Sequence, residues 1–195
     1  MNNKLVLTSY GLTTGVGRKN IGKELANYDL VNKKIFLFHE PHYSIETILI
    51  DVCCESGFKR ENVILSGQQD SIDEIIECDF YYCTEGNTFE VLSLMRDRGV
   101  DKAIKAGFDI GNKLYIGASA GAAIAGTSVE EIKDFDRNFV GMTDFTGLRL
   151  FDGIIIPHYT KAELKRYIKN TPGIEYKYNK ILSVSNKSCV LFDVE

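Results

Sequence analysis

The sequence predicts an α/β fold in which a mostly parallel β-sheet carries helices on both faces, with antiparallel strands near the C-terminus. Two observations support this class. Short apolar runs of strand length alternate with segments whose apolar residues recur at helical spacing, and this alternation is typical of parallel sheets with crossover helices. The last two apolar runs are separated by a turn alone, which indicates an antiparallel addition to the sheet.

The strands are predicted from apolar and β-branched runs bounded by polar or glycine residues. They cover residues 4–8, 33–40, 62–66, 79–84, 112–118, 153–157, 181–185 and 189–193. Helical spacing predicts helices over residues 20–28, 45–57, 71–77, 101–107 and 161–169, and another that ends near residue 98. Asn87 or Thr88 is placed to cap that helix, and Ser71 with Glu74 has capping-box spacing. We expect the last two strands to form a hairpin around Asn186.

Length and composition indicate one globular domain spanning residues 1–195. A chain of 195 residues can bury a sizeable core, and 44% hydrophobic with 26% charged residues is an ordinary globular composition. The net charge of −4 lacks the basic surplus that attracts phosphate backbones, so nucleic acid is not an expected partner. No apolar segment reaches the ~18 residues that cross a bilayer, and the N-terminal apolar run is too short for a signal peptide. We therefore expect a cytoplasmic protein without a membrane partner.

Neither the cysteines nor the histidines predict a metal site, and no cofactor is expected. The five cysteines lack the CxxC spacing of zinc or redox sites, so they are expected to be free and mostly buried thiols. His39 and His42 form an H-x-x-H pair at a turn without an evident third ligand, which favours ordinary loop histidines. The glycine-rich residues 11–17 lack the G-K-[ST] ending of a phosphate loop and are expected to form a loop before a helix.

The strongest chemical signal is the G-x-S-x-G pattern of residues 117–121. It lies between an apolar run and an alanine-rich segment, which predicts a strand, a sharp turn and a helix. Gly117 and Gly121 flank Ser119 where side chains would collide in a turn tight enough to raise the hydroxyl above the sheet edge. At the start of a helix, unpaired N–H groups can stabilise an oxyanion. The pattern therefore predicts a nucleophilic serine, although close packing alone also selects small residues here.

Two other loops are expected to meet Ser119 at the same sheet edge. His158 follows the apolar run 153–157, and Gly86 follows the run 79–84. Ligands collect at the carboxyl ends of parallel strands, where these loops lie. The order Ser, Asp or Glu, His then suits a serine hydrolase, since an imidazole must take the hydroxyl proton and an acid must hold the imidazole.

With these residues in view, the chain resembles the peptidase E and cyanophycinase family of serine peptidases, which has a class I glutamine-amidotransferase-like, flavodoxin-like fold. The resemblance rests on Gly86-Asn-Thr-Phe with Leu92 and Arg96, on residues 117–121, and on residues 148–159. It implies that Ser119 is the nucleophile and that His158 is the general base.

The resemblance also implies the remaining roles. The N–H groups of Gly86 and Ala120 would form the oxyanion hole, and Asn87 and Thr88 would contact substrate. The triad acid would lie after the elbow helix, where Glu130 is favoured by the Ser-Val-Glu context. Asp134 is its rival, and Glu131 is a third alternative.

One departure bears on the substrate. The best-known activity of the family releases an N-terminal aspartate from dipeptides, but Glu85 places a carboxylate beside the expected oxyanion loop. Binding of an acidic substrate requires a partner such as Arg137 or Arg149. Aspartyl specificity is therefore doubtful.

The leading hypothesis is a serine exopeptidase or dipeptidase that acts on small peptides without a metal. The alternative is a catalytically silent protein that binds a peptide or metabolite on the same fold. The oligomeric state stays open between a monomer and a homodimer.

Overall fold

The computed structural model describes residues 2–39, 45–67 and 71–194. The strands are β1 (Asn3–Thr8), β2 (Ile35–Phe38), β3 (Val63–Leu65), β4 (Phe80–Cys83), β5 (Leu114–Ala118), β6 (Ile154–Pro157), β7 (Ile181–Val184) and β8 (Cys189–Val194). The α-helices are α1 (Gly15–Leu25), α2 (Glu46–Ser56), α3 (Ile72–Glu77), α4 (Thr88–Asp97), α5 (Val100–Ile110), α6 (Ala120–Ile124), α7 (Lys161–Asn170) and α8 (Ile174–Lys177). Short 3-10 helices cover Arg60–Asn62 and Glu130–Asp134.

The main sheet has six strands in the order β3-β2-β4-β5-β1-β8. Its first five strands are parallel, and β8 pairs antiparallel with β1 at one edge. The strands β6 and β7 form a separate parallel pair. The predicted α/β class, with a mostly parallel sheet and an antiparallel strand near the C-terminus, is confirmed.

Helices cover both faces of the main sheet, as predicted. Along β1, Leu5 and Leu7 enter a core with residues of α4, α5 and α6, whereas Val6 enters a second core with residues of α1 and α2. This alternation is the two-residue period of a strand buried on both faces. The two cores therefore lie on opposite faces of the sheet.

The predicted C-terminal hairpin is wrong. β7 pairs with β6, β8 pairs with β1, and a turn over residues 185–188 carries the chain from one sheet to the other. The apolar pattern could not distinguish a hairpin from pairing with distant strands, since an apolar strand can pair with the free edge of either β1 or β6. As a result, Asn186 lies at the junction of the two sheets.

The first helix also begins earlier than predicted. Residues 15–17 of the expected loop belong to α1, because the Thr14 hydroxyl accepts a hydrogen bond from Gly17 N–H at 3.0 Å and caps the helix. The other caps agree better with expectation. The Asn87 side chain accepts from Phe89 N–H and Glu90 N–H to cap α4, and Ser71 caps α3.

Two glycines allow α6 to pack directly against the strands. A Cβ added to Gly117 would lie 2.6 Å from the carbonyl oxygen of Gly121, and a Cβ added to Gly121 would lie 2.9 Å from Cys83 Cβ and still closer to the Cys83 carbonyl. Real Cβ atoms do not make such contacts. The glycine spacing seen in the sequence is therefore required by helix-to-strand packing at the elbow.

We predict opposite effects of alanine at two helical glycines. Gly121→Ala should lower the free energy of unfolding by about 1–3 kcal/mol, because its Cβ overlaps the backbone of β4. Gly22→Ala, in α1 with open space around it, should raise that free energy by up to about 1 kcal/mol. Urea denaturation of both variants measures the difference, and an equally stable Gly121→Ala protein would contradict this packing argument.

Candidate active site

Ser119 lies at the turn between β5 and α6 with an unusual backbone conformation. Its φ is 49° and its ψ is −107°, a region that non-glycine residues rarely adopt. The turn is anchored because Ser119 N–H donates to the Thr8 carbonyl at 2.9 Å. Strain of this kind costs about 1–3 kcal/mol and is found at functional sites. Ser119 is therefore held in a strained conformation at a tight turn from strand to helix.

His158 meets the serine from the end of β6. Its Nε2 lies 2.8 Å from Ser119 Oγ, which is hydrogen-bond distance. The φ of His158 is 66°, also in the left-handed region. The ring of Tyr10 packs edge-on against the imidazole with centroids 5.7 Å apart. The structure thus brings together the two residues that the sequence singled out as nucleophile and base.

Ser9 holds the backbone of His158 in place. The buried Ser9 hydroxyl accepts from His158 N–H at 2.9 Å and donates to the Val184 carbonyl at 2.6 Å. One side chain at the end of β1 therefore ties the ends of β6 and β7 to the main sheet. The sequence did not predict this role, because nothing in the residues around Ser9 indicates that its hydroxyl bonds segments far away in the chain.

The second ring nitrogen of His158 faces an amide. Nδ1 lies 2.7 Å from Asn186 Oδ1 in the turn between β7 and β8. An amide oxygen only accepts, so this contact requires a proton on Nδ1 and leaves the Nε2 lone pair for the Ser119 hydroxyl. Asn186 thereby selects the tautomer that a general base needs.

None of the expected acids reaches the imidazole, so the structure corrects the choice of Glu130. Glu130 lies 2.7 Å from Lys177 Nζ, and this hydrogen bond holds the pKa of Glu130 below its ordinary value. Glu131 bonds the same ammonium at 2.8 Å, and Asp134 accepts from Tyr167 at 2.9 Å. The reason is orientation, since the 3-10 helix Glu130–Asp134 directs these carboxylates toward α7 and α8.

The expected oxyanion donors lie beside the serine. Gly86 lines the pocket with a φ of 150°, which favours glycine, and Ala120 begins α6 directly after Ser119. Among the described residues, the hydrogen bonds found do not use the N–H of Gly86 or Ala120.

Asn87 and Thr88, the expected substrate contacts, serve the loop instead. The Asn87 side chain caps α4 and also donates to the Arg137 carbonyl at 2.9 Å. Thr88 is buried, and its N–H donates to Asp136 Oδ2 at 2.9 Å. Neither lines the pocket beside Ser119, and their contacts fix the loop that carries Gly86.

An open pocket of about 510 Å³ adjoins Ser119 and His158. Glu85 is one of its lining residues, whereas the two arginines expected to bind an acidic substrate lie elsewhere. Arg137 is exposed over the ring of Phe139, and Arg149 lines a different cavity beside β8. The other described residues that line the pocket are Ser9, Tyr10, Thr13, Thr14, Ile45, Thr84 and Gly86.

The cysteines and histidines outside this site form no metal centre in the described parts of the chain. All five cysteines are free, and Cys53, Cys78 and Cys83 are buried, as predicted. Burial raises the pKa of the Cys53 and Cys78 thiols to about 12, which keeps them protonated. His39 is buried 3.8 Å from a Glu46 oxygen, and His42 lies outside the described residues.

Two curated peptidases share sequence with this chain. The chain is 34% identical to an uncharacterized peptidase of Listeria innocua over 58% of this chain and 54% of that protein. It is 36% identical to peptidase E of Citrobacter koseri over 48% of this chain and 39% of that protein. The chain therefore spans about half the length, or less, of these curated relatives.

Solved structures share the fold. A Listeria monocytogenes protein described as a candidate peptidase E matches over 100% of both chains with a TM-score of 0.68 and 25% identity. A peptidase from an acI-B1 actinobacterium matches over 99% of this chain and 84% of its own, with a TM-score of 0.66 and 17% identity. The model of peptidase family S51 matches residues 52–193. Since this match spans most of the chain and includes Ser119, His158 and Asn186, the protein belongs to peptidase family S51.

Proposed function

We propose that this protein is a serine peptidase that hydrolyses small peptides, as a dipeptidase or exopeptidase, through an acyl-enzyme on Ser119. The observation that carries the proposal is the 2.8 Å contact between Ser119 Oγ and His158 Nε2 in a member of a peptidase family. A serine hydroxyl is inert at neutral pH until a base at this distance takes its proton.

The proposed reaction has two stages. Ser119 Oγ attacks the peptide carbonyl carbon while His158 Nε2 takes the hydroxyl proton, and the N–H groups of Gly86 and Ala120 donate to the resulting oxyanion. The intermediate collapses to the acyl-enzyme as His158 gives its proton to the leaving amine. A water molecule then attacks the ester, again with His158 as base, and releases Ser119.

Asn186 is proposed as the third member of the constellation. Its amide oxygen orients the imidazole and selects the tautomer, which is one part of the work of a triad acid. It does not supply the negative charge that stabilises the imidazolium formed during attack. We therefore infer that the imidazolium of this enzyme is less favoured than in a Ser-His-Asp or Ser-His-Glu triad.

We also propose where the enzyme acts and how its chain is organised. No helix in the described ranges is both long and apolar enough to cross a membrane. We propose that the peptidase acts in the cytoplasm as a single domain over residues 1–195. The volume of about 510 Å³ suits a short peptide.

The second candidate function is a catalytically silent protein that binds a peptide or metabolite in the same cleft. The observation that favours it is the neutral Asn186 at the place of the triad acid, since loss of that charge weakens a serine hydrolase. The complete Ser119–His158 pair favours the enzyme.

We predict that a fluorophosphonate probe labels the wild-type protein and does not label Ser119→Ala. The activated hydroxyl is the expected site of phosphonylation, and Ser119→Ala removes it.

His158→Ala should lower labelling and peptide turnover by at least a hundredfold while leaving the far-UV circular dichroism unchanged. Ser56→Ala, at the end of α2 and outside the described lining of the pocket, is the control variant and should be labelled normally. Unlabelled wild-type protein would favour the silent binder.

We predict that Asn186→Asp moves the acidic limb of the kcat/KM profile to higher pH. A carboxylate at 2.7 Å from Nδ1 stabilises the imidazolium and raises the pKa of His158, so the base is lost at a higher pH. Asn2→Asp provides a matched charge change at the amino end of β1, opposite the site, and should leave the profile in place. Identical profiles for Asn186→Asp and the wild type would show that Asn186 does not contact the working base.

We predict that Ser9→Ala lowers kcat/KM by about ten- to a hundredfold, because small displacements of catalytic groups have effects of this size. The substitution leaves the Val184 carbonyl and His158 N–H without their shared partner. Ser56→Ala, which loses a hydroxyl bonded to the Val52 carbonyl at 2.8 Å, is the matched control and should retain activity. Full activity in a folded Ser9→Ala protein would contradict the positioning role.

A further inference from the structure

One carboxylate in the pocket has no part in the proposed catalytic steps. Glu85 lies on the loop after β4, immediately before Gly86, and lines the same cavity as Ser119 and His158. We propose that Glu85 determines specificity by binding a positively charged nitrogen on the acyl side of the scissile bond. This inference rests on the proposed peptidase function and names its substrate class.

Both carboxylate oxygens of Glu85 accept hydrogen bonds from neighbouring residues. Oε1 accepts from Gly11 N–H at 2.6 Å and lies 3.5 Å from the Thr13 hydroxyl, while Oε2 accepts from the Thr84 hydroxyl at 2.8 Å. Each of these partners is a donor, and none carries a charge. The contacts therefore orient the carboxylate oxygens through neutral donors, and a carboxylate retains further acceptor positions for a ligand.

No protein cation compensates this carboxylate in the described parts of the chain. Glu85 forms no ion pair there, and neither lysine nor arginine lines the described part of the pocket. Arg18, on the adjoining helix α1, donates its Nε to the Leu12 carbonyl at 2.8 Å. The pocket is therefore electrostatically negative beside the nucleophile and complementary to a cationic ligand.

The position of Glu85 assigns the cation to the acyl side. A Cβ placed on Gly11 would contact the Tyr82 hydroxyl, Glu85 Oε2 at 2.7 Å and Ala118 Cβ at 3.0 Å, so these groups surround one backbone position near the end of β5. The acyl carbonyl oxygen must reach Gly86 N–H, the neighbour of Glu85 in the chain. The α-carbon bonded to that carbonyl carries both the α-ammonium and the side chain, so a cation from either source lies on the Glu85 side.

The same geometry disfavours an acidic residue at this place. A side-chain carboxylate on the acyl residue would face Glu85 without an intervening arginine, and like charges at short distance in a partly buried pocket repel. Compared with a neutral side chain, an aspartate on the acyl residue would therefore be disfavoured, whereas a lysine or an arginine there would be favoured.

The test compares kcat/KM for matched dipeptides. Lys-Phe, norleucine-Phe and Asp-Phe vary the side-chain charge, while Ala-Phe and N-acetyl-Ala-Phe vary the charge of the amino terminus. We expect kcat/KM to be at least tenfold higher for Lys-Phe than for norleucine-Phe, or for Ala-Phe than for N-acetyl-Ala-Phe. We expect kcat/KM for Asp-Phe to be at least tenfold lower than for norleucine-Phe. A preference within the first set identifies the side chain as the source, and a preference within the second identifies the α-ammonium.

Glu85→Gln should reduce the cationic preference to less than threefold, and Glu85→Asp should retain part of it. Glu55→Gln, an exposed carboxylate on α2, is the matched control and should retain the full preference. Wild-type selectivity in a folded Glu85→Gln protein, or a wild-type preference below threefold in both sets, would overturn the inference, because Glu85 would then be a structural residue of the loop.

A binding measurement separates this inference from the proposed catalysis. Calorimetry with the Ser119→Ala protein compares Lys-Phe with norleucine-Phe, and Ala-Phe with its N-acetyl form, with and without Glu85→Gln. A Glu85-dependent preference for the cationic ligand supports the inference even where the wild-type protein hydrolyses none of the peptides, a result that would overturn the peptidase proposal alone. The opposite result is equal affinity of Ser119→Ala for the cationic and neutral peptides, with equal kcat/KM of the wild type for both. It would overturn the inference about Glu85 and leave the peptidase proposal standing.

Discussion

The proposed chemistry depends on one hydrogen bond between two sheets. Ser119 is supplied by β5 of the main sheet, whereas His158 is supplied by β6 of the small parallel pair. A contact at 2.8 Å across such a junction requires that the sheets do not slide relative to each other. The Ser9 hydroxyl provides a direct link, since it bonds the backbone of His158 and the Val184 carbonyl from the end of β1. A buried hydroxyl with both partners satisfied is suited to this role because breaking either bond leaves a polar group unpaired.

Around that bond, local preferences are overridden. Ser119 and His158 both have positive φ, where residues with a Cβ are disfavoured, and Gly117 and Gly121 are required by the close approach of α6 to the strands. The helix packs onto the sheet through small residues, and this packing holds Ser119 at the exposed edge. Conflict between local preference and overall fold is expected at functional sites, where the surrounding core maintains the strain.

The electrostatics of the site depend on one neutral side chain that was not expected beside the base and on one carboxylate that was expected beside the oxyanion loop. The imidazole is oriented by a neutral amide, Asn186, while the pocket wall has a carboxylate, Glu85, that pairs with no cation among the described residues. Negative charge is therefore present in the cleft but does not reach Nδ1 of the base. The carboxylates that were expected near the base, Glu130 and Glu131, instead bond Lys177 and stabilise the packing of the segment after α6.

The sequence by itself determined the fold class, most strands and helices, and the Ser119, His158 and Gly86 candidates. These features have local signals, because alternating apolar runs specify buried strands and the G-x-S-x-G pattern specifies a tight turn. Tertiary structure alone decided that β7 and β8 enter different sheets, and this placed Asn186 rather than Glu130 beside the imidazole. Partners brought together from residues 9, 158 and 186 leave no periodicity in the chain, since their proximity arises from strand pairing between distant segments.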